Sequence, residues 1–94
     1  MIVEIKYKKN AVKFIKKNSH KISKTEIDEL IIKALKKIIK NETINIDLKK
    51  LVDNEQDFFR IRKNNIRIIF SFSNTNEIVI SIVENIGYRG GIYK

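Results

Sequence analysis

Apolar and polar residues alternate with period two in three stretches of the chain, which is the pattern of strands that bury one face. The stretches are residues 2–7, 59–70 and 77–86. Asparagines at positions 64 and 65 interrupt the middle stretch, and polar residues 73–76 precede the last one. Because asparagine tolerates the positive φ of tight turns, we predict a hairpin across 59–70 and a second turn at 73–76.

Between the first two of these stretches, apolar residues recur every three or four positions, as they do on one face of a helix. Residues 9–18 predict a short helix. A longer helix ends near Lys40 and has two candidate N-caps, which are Ser23, in capping-box spacing with Glu26, and Thr25. The apolar stripe of the longer helix comprises Ile27, Leu30, Ile31, Ala34, Leu35, Ile38 and Ile39.

Residues 41–57 mix the two periods, so we predict a loop there, with room for one helical turn at Leu48–Val52. The element order is then β-α-α-β-β-β in a single domain of residues 1–94, which is an α+β fold. An antiparallel sheet would carry the N-terminal helical hairpin on one face. The last strand is expected to point three isoleucines into that core, namely Ile78, Ile80 and Ile82.

The predicted hairpin places arginines on the face opposite to its apolar residues. The chain has 16 lysines and only four arginines. Arg60, Arg62 and Arg67 lie on the hairpin, and Arg89 follows the last strand. A guanidinium holds a phosphate through two hydrogen bonds and stays charged, and lysine does this less well. These arginines therefore indicate a phosphate-binding surface; the alternative is that they are solvated charges that discourage pairing at sheet edges.

Charge and composition limit the classes of binding partner and the cellular environment that we expect for this protein. A formal net charge of +9 favours a polyanion such as nucleic acid, a ribosomal surface or an acidic protein. The chain has no cysteine, which excludes disulfides and thiolate metal sites. No apolar stretch approaches the roughly 20 residues that span a bilayer, so we expect a cytoplasmic protein. The lysines of residues 8–40 form either a second nucleic-acid surface or a solvated one.

Three segments together resemble the RelE/ParE toxin superfamily of bacterial and archaeal toxin–antitoxin modules. The segment IKYKKNAVKFIKK is similar to the family's opening strand and first helix. The segment LKKLVDNEQDFFRIRKNNIRIIFSF is similar to the family's central hairpin, and VENIGYRGGIYK is similar to its C-terminal motif. The resemblance covers nearly the whole chain, and the segments stand in the family's order and spacing.

The resemblance implies a RelE-like toxin that enters the ribosomal A site and cuts mRNA there, with no metal or other cofactor. It implies that Arg67 and Arg89 stabilise the phosphate and the leaving group, and that Tyr93 acts as a base or positions the RNA. RNA can supply its own nucleophile, the 2′-hydroxyl, and guanidiniums can stabilise the charge that develops. Further RNA- or phosphate-binding residues are expected at Arg60, Arg62, Lys63 and Tyr88.

The chain departs from the family pattern at two places. Arg60 and Arg62 stand where family members have lysine, and because arginine does not readily give up its proton, neither is expected to be the base. Tyr88 occupies a position that is often histidine. The single histidine, His20, is predicted to lie in the loop between the helices, so proton transfer would depend on Tyr88, Tyr93 or the ribosome.

Two other functions stay open at this point. ParE-like members of the family inhibit DNA gyrase by binding it, and Arg67 and Arg89 would then be structural or contact residues. A degenerate toxin would bind only its antitoxin. Each version implies a cognate antitoxin, acidic and partly disordered, that covers the basic face. Neither a membrane nor a small-molecule cofactor is an expected partner.

Overall fold

The computed structural model describes residues 1–51 and 57–89 and shows a five-stranded sheet with two helices on one face. The strand order is β1-β5-β4-β3-β2. This confirms the predicted α+β fold and both predicted helices. No helix in the described ranges is long and apolar enough to cross a membrane. The elements are β1 (Ile2–Tyr7), α1 (Lys9–Lys17), α2 (Lys24–Ile39), β2 (Asp47–Leu51), β3 (Phe58–Lys63), β4 (Ile66–Thr75) and β5 (Ile78–Tyr88).

The sheet is mixed, whereas the sequence predicts an antiparallel one. β2, β3, β4 and β5 are antiparallel neighbours, but β1 pairs with β5 in parallel, with Ile2 opposite Ile78 and Tyr7 opposite Val83. Tight turns force consecutive strands to be antiparallel. The chain leaves β1 through two helices instead, so its direction is not fixed in this way.

The predicted loop at residues 41–57 is wrong for Asp47–Leu51, which form β2 at the edge of the sheet. β2 pairs with β3 along its whole length. Leu48 packs against the core, while Lys49 and Lys50 are both exposed and break the alternation that would otherwise mark a strand. The rest of the predicted helical turn, from Val52, lies outside the described residues.

The prediction that three isoleucines of β5 point into the core is also wrong. Val79, Ser81 and Val83 are buried there instead, while Ile78 is 45% exposed. β5 has apolar residues on both faces, so the pattern alone does not choose between them. Burial of Ser81 is compatible with the core because its Oγ donates a hydrogen bond to the Ser71 carbonyl at 3.0 Å.

A bulge changes which residues of β5 face the helices. Ile69 of β4 lies opposite Asn85, and the next residue, Phe70, lies opposite Val83. Glu84 therefore has no counterpart on β4. Buried positions are odd-numbered before the bulge, ending at Val83, and even-numbered after it, beginning at Ile86.

The two turns between antiparallel strands that the structure describes each use an asparagine with positive φ. Asn64 has φ 57° between β3 and β4, at the predicted position. The second turn was predicted at residues 73–76, but β4 continues to Thr75 and the turn begins at Asn76, with φ 56°. Asn76 follows a polar end of β4 that the sequence does not distinguish from a turn.

The core lies between the two helices and the sheet face that they cover. Burying apolar side chains there contributes roughly 25 cal/mol for each Å² removed from water. Its fully buried members are Ala11 of α1, Ile27, Ile31, Ala34 and Leu35 of α2, and Ile61, Ile68, Phe70 and Val83 of the sheet.

The N-terminus of α2 is fixed by a cap and by an ion pair to the β3–β4 hairpin. Ser23 is the N-cap, and its Oγ accepts a hydrogen bond from the Glu26 backbone N–H at 3.1 Å. Lys63 Nζ lies 3.2 Å from Glu26 Oε2. The hydrogen bond from Lys63 is the main reason that the pKa of Glu26 lies below its ordinary value.

Replacing Ser23 by alanine is expected to lower the free energy of unfolding by about 1 kcal/mol, because the Glu26 N–H loses its acceptor. Thr25, the competing cap in the sequence, is exposed inside the first turn of α2 and is the matched control. Thr25→Ala should change the free energy by less than about 0.5 kcal/mol. Urea unfolding followed by circular dichroism measures both, and equal losses would contradict the assignment of the cap.

Replacing Lys63 by glutamine should raise the pKa of Glu26 towards its ordinary value, which an NMR titration of the Glu26 carboxyl carbon measures. Because the folded-state pKa is lowered, the pair stabilises the protein above the ordinary carboxylate pKa and loses this effect as pH falls through the lowered one. The exposed Lys49 is the control, and Lys49→Gln should leave the Glu26 titration unchanged. An unchanged titration in Lys63→Gln would show that the ion pair does not form.

Candidate nucleic-acid interface

The sheet face turned away from the helices, called the open face below, carries three of the four arginines. Arg62 of β3, Arg67 of β4 and Gly87 of β5 are direct neighbours across the sheet, and Arg60 lies one step along, opposite Ile69. Directly paired residues share a face, so the register brings the three arginines together as the alternation predicts.

Arg67 is buried although it is charged. It is only 7% exposed, and among the described residues its Nη1 has no hydrogen-bond partner. An unsatisfied buried donor is rare in folded proteins, and for a charged group the penalty is larger than for a neutral one. Because Nη1 is itself buried, an anion would reach it only after neighbouring groups move, and it would then bind a guanidinium that folding has already removed from water.

Arg60 and Arg62 share one carboxylate, that of Asp47 on β2. Asp47 Oδ1 accepts from Arg60 Nη2 and Asp47 Oδ2 accepts from Arg62 Nε, both at 2.7 Å. The Arg60 side chain is 12% exposed and that of Arg62 is 46% exposed. Two arginines on one carboxylate leave a net positive charge, so with Arg67 the three arginines and Asp47 have a formal charge of about +2.

Arg89 extends the ladder by one pair beyond β5. Its backbone N–H donates to the Asn65 carbonyl at 2.9 Å, and its side chain is exposed. It lies two residues past Gly87, which corresponds to roughly 7 Å along an extended strand. The backbone thus places Arg89 at the same end of the sheet as Arg67. Tyr93, the third predicted catalytic residue, lies outside the described residues.

Lys63 and Tyr88 contact the helix side of the sheet. Lys63 forms the ion pair with Glu26 of α2. Tyr88 packs against Phe14 of α1, with ring centroids 5.2 Å apart, and its hydroxyl donates a hydrogen bond to Asn18 Oδ1. Neither side chain is therefore grouped with the arginines, and their proposed contact with RNA stays a prediction.

A shallow groove of about 550 Å³ continues along the open face beyond the arginines, and its lining includes Ile80, Ile82 and Ser71. Glu84, also in the lining, accepts a hydrogen bond from Ser71 Oγ and pairs with Lys8 Nζ, each at 2.7 Å. Lys8 and Ser73 also line the groove, which therefore offers both polar and apolar surface.

Asp47 is the site residue that sequence reasoning missed, because the segment that contains it was predicted as a loop. The apolar residues at 44, 46 and 48 alternate with polar ones and are the signal that could have identified β2. The described residues include no cluster of three or more histidine, aspartate or glutamate side chains suited to a metal. His20 is exposed in the turn between the helices.

The comparisons with known proteins agree with this architecture. No protein-family model matches the sequence, and no curated protein does. Among solved structures, the chain is similar to one from the crystal structure of the archaeal RelE–RelB complex of Pyrococcus horikoshii OT3. The match covers 97% of this chain and 99% of that one, with a TM-score of 0.56 and 19% sequence identity. The chain therefore has a RelE-like fold.

Proposed function

We propose that the protein is the toxin of a type II toxin–antitoxin system and that it cuts mRNA on the ribosome without a metal. The observation that carries the proposal is Arg67, a buried guanidinium on the open face of the sheet whose Nη1 has no partner within residues 1–51 and 57–89. Arg60 and Arg62 lie beside it on the same face. A phosphodiester would supply negative charge to a surface whose three arginines share one carboxylate, and the RelE-like fold supports the same function.

The reaction that suits this surface uses the RNA's own nucleophile. The 2′-oxygen forms a bond to the adjacent phosphorus, and the bond from phosphorus to the 5′-oxygen of the next nucleotide breaks. The products are a 2′,3′-cyclic phosphate and a 5′-hydroxyl. A base takes the proton of the 2′-hydroxyl, and the departing 5′-oxygen accepts a proton from an acid.

Arginines in this reaction stabilise charge and do not transfer protons, since their pKa is too high for them to act as bases. Arg67, fixed by the sheet, would hold the non-bridging oxygens as their negative charge grows. Arg89, at the same end of the sheet, would stabilise the departing 5′-oxygen. Tyr93 or a ribosomal group would act as the base and the acid. We therefore propose an enzyme that depends on the ribosome.

The same surface determines the partners that we propose. A net charge of +9 favours the ribosome and mRNA, and these place the protein in the cytoplasm. The similar archaeal RelE was solved as a complex with RelB. By analogy, we expect a cognate antitoxin whose acidic residues cover the region around Arg60, Arg62, Arg67 and Arg89, which are the residues that would touch mRNA.

Replacing Arg67 by methionine is the test of this function, because it removes the charge and keeps much of the side-chain length. In a ribosome programmed with end-labelled mRNA, wild-type protein should produce cuts in phase with the codons. Arg67→Met should slow cutting by about 100- to 1000-fold, as expected when a donor to the transition state is lost. The matched control is Lys33→Met, which removes one charge from the exposed side of α2 and should cut at the wild-type rate.

The free energy of unfolding of the same variants shows whether Arg67 serves function or supports the fold. Removing a buried charge without a partner should leave the free energy of unfolding unchanged or raise it by about 1 kcal/mol. A large loss of stability in Arg67→Met would mean that the arginine supports the fold. Wild-type protein that leaves mRNA intact but inhibits supercoiling by DNA gyrase would contradict the nuclease proposal.

A further inference from the structure

The ion pairs between Asp47 and the two arginines of β3 differ from an ordinary structural salt bridge. A carboxylate commonly binds one guanidinium through two parallel hydrogen bonds. Asp47 instead gives one oxygen to Arg60 and the other to Arg62, each at 2.7 Å. In this arrangement two oxygens bound to one atom each contact a different guanidinium. The two non-bridging oxygens of a phosphodiester would contact Arg60 and Arg62 in the same way.

Both arginines keep hydrogen-bonding capacity that Asp47 does not use. A guanidinium has five N–H donors. Arg60 gives Asp47 only a bond from Nη2, and its buried Nε has no partner among the described residues. Arg62 gives Asp47 a bond from Nε, and its side chain is 46% exposed. A larger anion with three or more accepting oxygens could reach the unused donors of Arg62, whereas the buried Arg60 Nε would first have to become accessible.

Asp47 is also placed where it can leave the arginines without disturbing the core. It begins β2, which is the edge strand of the sheet, and its side chain is 40% exposed. The carboxylate can therefore turn towards water, where it recovers its hydration. Arg60, which is 12% exposed, has no such freedom and requires an anion whenever Asp47 is away.

We propose that Asp47 is an internal competitor for the RNA phosphate, which binds Arg60 and Arg62 in the free protein and is displaced when RNA binds. The proposal rests on the proposed function in so far as it uses the same open face. Asp47 keeps the two arginines aligned and weakens their affinity for any single phosphate. Only an RNA that also engages Arg67, which is directly across from Arg62, would displace it efficiently.

Affinity for RNA in an Asp47→Asn variant tests the competition. The probe is a fluorescein-labelled, 2′-O-methylated 12-mer, which binds but cannot be cut because its nucleophile is blocked. Fluorescence anisotropy at fixed salt should show the variant binding about tenfold more tightly than wild type, which is the value of about one charge-assisted hydrogen bond. The salt concentration must be identical, because all phosphate contacts depend on it.

A matched variant separates competition from a general change in charge. Asp57 precedes β3 and pairs with Lys50 at 3.5 Å rather than with an arginine. Asp57→Asn makes the same charge change and should raise affinity by less than about twofold, as expected for an exposed charge. The gain from Asp47→Asn should also disappear in an Arg62→Gln background, whereas the small effect of Asp57→Asn should persist.

Wild-type protein provides a second measurement that needs no variant at Asp47. The NMR signals of the Asp47 carboxyl carbon and the Arg62 Nε–Hε should shift together when the 12-mer is added. Two results would overturn the competition. One is that folded Asp47→Asn binds the 12-mer no more tightly than wild type does, and the other is that the 12-mer binds without shifting the Asp47 signal. If the wild-type protein does not cut mRNA but the binding results are as expected, only the nuclease proposal is contradicted.

Discussion

The alternation of apolar and basic residues over Phe59–Arg62 of β3 and Ile66–Ile68 of β4 is the constraint on which the rest of the structure depends. Ile61 lies opposite Ile68 in the core, and one residue further along Arg62 lies opposite Arg67 on the open face. Slipping the register by one residue would place guanidiniums beneath the helices and isoleucines in water. The packing that stabilises the domain therefore also aligns the arginines, and the site is positioned by the middle of a sheet rather than by loops.

If the protein binds RNA as proposed, this arrangement gives up stability at one point in exchange for affinity for RNA. The open face buries the guanidinium of Arg67 and leaves one of its nitrogens without a partner among the described residues. Arg60 is nearly as buried, but it shares a carboxylate with Arg62. Three positive charges on one small surface thus face the single carboxylate of Asp47, which compensates only one of them. A surface tuned only for stability would have had fewer arginines or more carboxylates.

The sequence predicts most of this fold because its helices and its central hairpin each have one dominant period. It fails where two patterns compete. Lys49 and Lys50 obscure β2, and the isoleucines of β5 compete with Val79 and Val83 for the core. The grouping of Arg60, Arg62 and Arg67 follows from period two alone. The role of Asp47 could not be predicted, because it depends on which strand lies at the edge, and that is a property of the tertiary structure.

The bulge opposite Ile69 and Phe70 has a consequence for how this chain is compared with others. Before Glu84 the odd-numbered residues of β5 face the helices, and after it the even-numbered ones do. An alignment that counts every second residue straight through the strand would assign Gly87 and Arg89 to the helix side. Relatives that lack the extra residue would need Gly and Arg one position earlier to present the same chemistry. Loss or gain of a single residue here thus decides which face of the sheet carries the residues that follow Glu84.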